Sequence, residues 1–190
     1  MRQLNTGIIE VICGPMFSGK TEELIRRLRR AKIAKQRVVV FKPSIDKRFD
    51  EVQIVSHSAQ KIPSIPVEDV ESIQHCLDQL DAPPDLVGID EAQFFDASLV
   101  NFVEGLADSG VRVILSGLDQ DSTGKPFGPM PELLAVAEIV TKQYAVCVVC
   151  GAFASKSFRL KSEATQVLVG ASDSYEARCR ACYHQGTSCQ

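Results

Sequence analysis

A basic excess is missing from this 190-residue chain, in which 24 acidic side chains slightly outnumber 21 basic ones. That balance argues against a surface built to grip nucleic acid, which calls for a basic face, although a local positive pocket remains compatible with it. No apolar run approaches the roughly 20 residues of a membrane span. The opening "MRQLNTGIIEVICG" lacks the charged start, long apolar run and small-residue cleavage site of a leader peptide. A cytoplasmic protein with no membrane partner is therefore expected. Internal repeats and low-complexity tracts are absent too. Histidine is scarce, with three in all, and His57 and His75 show no partner pattern that would assign them chemistry.

What is present is a succession of apolar runs and helical patterns. "GIIEVIC" reads as a first strand, followed by a loop and a helix to about Lys35. "RVVVFKP" reads as a second strand and "VQIVSHS" as a short third. "VEDVESIQHCLDQL" has helical spacing, broken by Pro83 and Pro84. "DLVGID" and "VRVILSGLD" read as buried strands on either side of the helical "ASLVNFVEGLADSG". Near-continuous apolar strands alternating with helices imply an α/β fold with a mainly parallel sheet covered on both faces. After Tyr144 the texture changes to a polar stretch with short β-like runs. A boundary there gives residues 1–143 as the main α/β domain and 144–190 as a small appended unit.

"GPMFSGKT", Gly14, Pro15, Met16, Phe17, Ser18, Gly19, Lys20 and Thr21, fits G-x-x-x-x-G-K-[ST] between a predicted strand and a predicted helix. Gly14 and Gly19 permit a tight loop whose backbone N–H groups converge on phosphate oxygens at a helix N-terminus. Lys20 is expected to reach the β- and γ-phosphates of ATP, and Thr21 to ligate Mg²⁺. The basic run that follows is read as a solvated helix face. Glu22–Arg26 and Glu23–Arg27 are expected as i,i+4 pairs, with Leu24, Ile25 and Leu28 turned inward.

In "LVGIDEAQFFD", Asp90 and Glu91 follow an apolar strand. Asp90 suits the second anchor for Mg²⁺, and Glu91 suits a base that deprotonates an attacking hydroxyl. "DEAQ" also resembles the second motif of helicase-like ATPases, but their second lobe does not fit in a chain of this length.

Seven cysteines are present, and in a reducing compartment they do not suggest structural disulfides. Cys147, Cys150, Cys179 and Cys182 form two C-x-x-C pairs with 28 residues between them. Four thiolates complete a tetrahedral zinc shell with no open position, so a structural Zn²⁺ is expected; a redox dithiol is the second reading. Cys13 is expected as a small core residue. His184 is close in sequence to the cysteines, which leave it no vacancy.

"GPMFSGKT", "GIDEAQFF", "GLD" before "KPFGPMPELL", "CVVC" and "VLVGASDSYEARCRAC", in that order, resemble the small zinc-containing type of thymidine kinase over nearly the whole chain. The resemblance implies a RecA-like P-loop domain and a zinc-binding lasso closing over the nucleoside. It implies phosphoryl transfer from ATP to the 5′-hydroxyl of thymidine, and of deoxyuridine, in nucleotide salvage. By that resemblance Glu91 is the catalytic base, and Arg48 and Arg159 stand near the phosphates. Met16, Phe94, Leu118 and Phe127 line the base pocket, and Ser157 lies near the thymine methyl. The backbone at Leu168, Val169 and Gly170 meets the base edge, and Tyr175 closes the site. A homotetramer inhibited by dTTP is also implied. The chain departs from the family at Ser122, where an aromatic residue is usual, and weaker nucleoside affinity or wider nucleoside choice is expected. Two other readings stand beside this one: a P-loop ATPase whose zinc knuckle binds nucleic acid or a protein, and a nucleotide-binding module without catalysis.

Overall fold

The computed structural model describes residues 7–44, 53–55, 61–160 and 174–187. Arg48, Leu168, Val169, Gly170, His57 and Cys189 lie outside the described residues.

Six strands form one parallel sheet. They are β1 (Ile9–Cys13), β2 (Val38–Pro43), β5 (Ile65–Val67), β6 (Leu86–Ile89), β7 (Arg112–Gly117) and β8 (Ile139–Lys142), ordered β5-β2-β6-β7-β1-β8. β3 (Gln53–Val55) and β4 (Lys61–Pro63) form a separate antiparallel pair, so the expected third strand does not join the main sheet. Helix α1 (Lys20–Ile33) covers one face. Helices α2 (Val70–Asp78), α3 (Ser98–Asp108) and α4 (Met130–Val136) cover the other. The strands divide their side chains accordingly. In β1, Val11 and Cys13 face α3 and α4 while Ile12 faces α1; in β7, Val113 and Leu115 oppose Ile114 in the same way. This two-sided burial explains why the strands read as continuous apolar runs. At Gly88 in β6 a Cβ would stand 2.9 Å from Leu28 Cδ2, so the missing side chain lets α1 settle against the sheet.

Leu24, Ile25 and Leu28 are fully buried, as their spacing predicts. The charged face of α1 departs from expectation. Glu23 pairs with Arg27 at 2.8 Å, but Arg26 turns to Glu23 rather than to Glu22. Nor is the face wholly solvated. Arg27 Nη1 donates to the buried Glu10 of β1 at 2.6 Å and its Nη2 to Thr141 of β8 at 2.8 Å, while Arg112 Nη2 of β7 stands 2.5 Å from the same Glu10. The Glu10 carboxylate and the Arg27 guanidinium together tie α1 to three strands, fixing the helix whose first turn follows the phosphate loop.

Beyond residue 144, β9 (Ala145–Val146) pairs antiparallel with β10 (Phe153–Ala154), and β11 (Lys156–Arg159) with β12 (Tyr175–Arg178). The tail also holds helix α5 (Arg180–Thr187), which the absence of an apolar period there had concealed. Among the described residues, no helix is long and apolar enough to cross a membrane.

Candidate active site and metal centre

All six main-sheet strands run in one direction, so β1, β6 and β7 end at a common edge, the usual place for ligands in an open α/β sheet. β1 passes at Cys13 into the phosphate loop. Gly14 has φ 143°, and a side chain there would collide with the Gln143 carbonyl; Gly19, at φ 81°, precedes α1 directly. Gly19 supplies no side-chain cap, which leaves the first-turn amides of α1 open to an anion. Within the loop, Ser18 Oγ and Lys20 Nζ both donate to the Pro15 carbonyl, at 2.8 and 2.7 Å. Burial pushes the Lys20 pKa down, while the charges of Glu91, Asp90 and Asp119 push it back up. The ammonium therefore lies between the loop and the acidic strand ends.

β7 separates β6 from β1, so Asp90 and Thr21 meet across the end of β7. Thr21 Oγ1 stands 3.4 Å from Asp90 Oδ2, and Ser116 of β7 donates to Asp90 Oδ1. Burial pushes the Asp90 carboxyl up to about 7, and the neighbouring Glu91 adds to this; the Ser116 hydroxyl and the Glu91 amide pull it back. A hydroxyl and a carboxylate so placed form a donor pair suited to a small oxygen-seeking cation such as Mg²⁺.

Glu91 adopts a left-handed backbone, φ 53° and ψ 43°, just before a 3-10 turn at Ala92–Phe94. The buried Gln93 in that turn donates through Nε2 to Glu91 Oε2 at 2.5 Å and accepts from the Leu118 amide through Oε1 at 3.0 Å. Phe94 and Phe127 meet edge to face with centroids 5.6 Å apart. Both rings, and Leu118, are part-exposed rather than core. Across the mouth, the Met16 amide donates to Ser157 Oγ of β11 at 3.0 Å. Arg159 and Tyr175 are register partners in the β11–β12 pair, with the guanidinium 5.8 Å from the ring centroid. Tyr175 itself is buried.

Several contributors escape a sequence reading. Gln93 was visible only as part of "DEAQ". Ser116 had the signal of a polar residue inside an apolar strand. The ion pair of Asp119 with Lys142, 2.7 Å long, joins the ends of β7 and β8, and nothing in the local sequence signals it.

The four paired cysteines converge as expected. Their Sγ atoms all lie within 4.8 Å of one another, and Cys150 and Cys179 are 3.7 Å apart. Tetrahedral Zn–S bonds of about 2.3 Å would set sulfurs about 3.8 Å apart, so the thiols fit that ion. The first knuckle turns at Gly151, whose amide donates to the Cys147 carbonyl at 2.8 Å. In the second, the Cys182 amide points at Cys179 Sγ at 3.5 Å, at the start of α5. Contacts with the Cys179 and Cys150 thiols push Cys182 up to about 12. A cation bound among these thiols would favour their thiolate forms.

A family profile described as "Thymidine kinase" matches residues 7–183. The thymidine kinase of Rhodothermus sp. (strain ITI 518) is 56% identical over 179 residues, 94% of this chain and 82% of the relative. That of Porphyromonas gingivalis (strain ATCC 33277) is 54% identical over 185 residues, 97% of this chain and 89% of the relative. That of Bdellovibrio bacteriovorus is 57% identical over 174 residues, 92% and 84% of the two chains.

Proposed function

The chain belongs to the thymidine kinase family, and from that premise we propose that it transfers the γ-phosphoryl group of ATP to the 5′-hydroxyl of thymidine, and of deoxyuridine, in nucleotide salvage. The observation that carries this reading is the buried Gln93. One end of its amide holds Glu91 and the other holds Leu118, so the base and the wall of a nucleoside pocket form one hydrogen-bonded unit.

In this reading the 5′-hydroxyl attacks the γ-phosphorus, its proton passes to Glu91, and the bond to the β-phosphate oxygen breaks to release ADP. Loop amides from Gly14 to Thr21 and the Lys20 ammonium hold the phosphates. Thr21 and Asp90 would hold Mg²⁺, which when bound neutralises charge between the β- and γ-phosphates. Arg48 and Arg159 stabilise the negative charge of the transferred group. Met16, Phe94, Leu118 and Phe127 enclose the base, Ser157 borders its methyl, and the backbone at Leu168, Val169 and Gly170 pairs with its edge. Tyr175 closes the pocket. Residues 144–190 act as the lasso, pinned by a structural Zn²⁺ at Cys147, Cys150, Cys179 and Cys182. A cytoplasmic homotetramer inhibited by dTTP completes the proposal.

The test is ATP consumption by the purified, zinc-loaded protein with and without thymidine, with the monophosphate quantified. Thymidine-dependent ADP release matched one-to-one by dTMP is expected. ADP release indifferent to thymidine, with no dTMP, would return the reading to the ATPase.

A further inference from the structure

The turn between β7 and α4 carries Leu118 at its start and Phe127 at its end. Its interior is self-ordered. Asp121 Oδ1 accepts from the Thr123 amide at 2.8 Å, the Thr123 hydroxyl at 2.7 Å and the Lys125 amide at 3.1 Å. Its base is fastened to the catalytic turn through Gln93. Its tip reaches instead to the tail. Lys156 Nζ donates to Gln120 Oε1 at 2.6 Å, and Tyr183 Oη donates to the Ser122 carbonyl at 2.7 Å. The Lys156 ammonium also stands 5.6 Å from the Tyr183 ring centroid. At Gly124 the packing is close, since a Cβ would lie 3.3 Å from Lys156 Nζ and 3.7 Å from Tyr183 Oη.

Lys156 is 7% exposed, an expensive place for a charge unless it is bonded. Its direction follows from strand alternation. Lys156 and Phe158 point together to Tyr183 of α5, while Ser157 points the other way, to the Met16 amide. Successive residues of β11 therefore hold the turn and the phosphate loop. Tyr183 is adjacent to the metal-cluster residue Cys182, so the tip of the turn is anchored on the cysteine-held unit.

We propose that Lys156 is a positioning residue, which with Gln120 and Tyr183 clamps the 118–127 turn to the zinc-binding unit and so sets how tightly and selectively the nucleoside is held. The inference rests on the kinase reading and adds to it a determinant of nucleoside specificity outside the pocket. Lys156 touches neither reacting group. It acts through Phe127 and Leu118, so its loss falls on thymidine and not on ATP.

The experiment compares full-length zinc-loaded wild type with Lys156→Met, Lys156→Arg and Tyr183→Phe. It reads zinc per chain, KM for ATP, and kcat and KM for thymidine and deoxyuridine, with hydrogen exchange over residues 118–127. For Lys156→Met, the expected result is a rise of about tenfold in thymidine KM, the worth of one charge-assisted bond. The thymidine-to-deoxyuridine preference changes, KM for ATP and zinc content hold, and exchange at the Gly124 and Phe127 amides quickens. Lys156→Arg recovers part of the loss. Unchanged thymidine KM in zinc-loaded Lys156→Met overturns the proposal, as does a rise in both KM values together with loss of zinc. Should Lys156→Met fail to fold, Tyr183→Phe decides by the same readings, since it removes one hydroxyl. Wild type that makes no dTMP would sink the kinase reading and the inference with it, whereas active wild type with indifferent variants sinks the inference alone.

Discussion

The Met16 amide and the Ser157 hydroxyl, 141 positions apart in sequence, are joined by a hydrogen bond of 3.0 Å. The 14–21 loop is thereby tethered to the tail that carries the four-cysteine cluster. Ser157→Ala removes the acceptor and leaves the amide bare, a loss of about 1 kcal/mol. A rise of about fivefold in KM for ATP or thymidine, measured by initial rates, is expected, with kcat reduced by less.

Glu91→Gln keeps the shape of the side chain and removes its basicity. General-base assistance is worth about 10²–10⁴-fold, so kcat for dTMP formation should fall within that range while KM for ATP holds. A kcat within twofold of wild type would remove Glu91 from the role of base.

Glu10 is 3% exposed and serves both Arg27 and Arg112. Glu10→Gln takes the buried counter-charge from Arg112 and leaves Arg27 with Glu23 alone, at a cost of about 3 kcal/mol. For a chain of this size that corresponds to a fall of about 6–12 °C in Tm, readable by calorimetry. Arg112 is partly solvated, so Arg112→Gln should cost less than Arg27→Gln.

Chelation should remove about one Zn²⁺ per chain, because four cysteines make one closed shell. Thymidine phosphorylation should be lost with it, and limited proteolysis should open new cuts after residue 144. A chelated protein that keeps its cleavage pattern would show that the tail folds without metal.

Ser122→Phe introduces a ring at the position where, by the family resemblance, an aromatic residue is usual. An aromatic contact contributes about 0.5–1.5 kcal/mol beyond burial, so thymidine KM should drop by about 2- to 12-fold. Equal KM values for wild type and variant across a nucleoside series would show that the missing ring is not felt.

The elements legible in the sequence were those whose signal is local. The phosphate loop sits between a run of apolar residues and a run with helical period, and Asp90 ends an apolar run. The cysteine pairs announced their convergence by spacing alone. The strands around Pro63 and Pro66 are three residues long and give no period to read. Helix α5 buries Cys182 and Tyr183 only, too small a face to show as a stripe. Arg26 pairs with Glu23 at i,i+3 while Arg27 shares the same carboxylate, a geometry that i,i+4 counting does not contain. The roles of Gln93 and Lys156 were hidden for a stronger reason. Their partners lie 25 and 36 positions away, on a turn whose place is set by the sheet order.

The left-handed backbone at Glu91 has a consequence for inheritance and for engineering. A glutamate held at φ 53° costs about 1 kcal/mol or more relative to a residue at ease there. A lineage under selection for thermal endurance alone would drift toward glycine or asparagine at this position. With Glu91 as the proposed base, glutamate at this position trades durability for turnover. On that proposed role, libraries screened only for heat tolerance should recover sturdier, inactive chains unless position 91 is held constant.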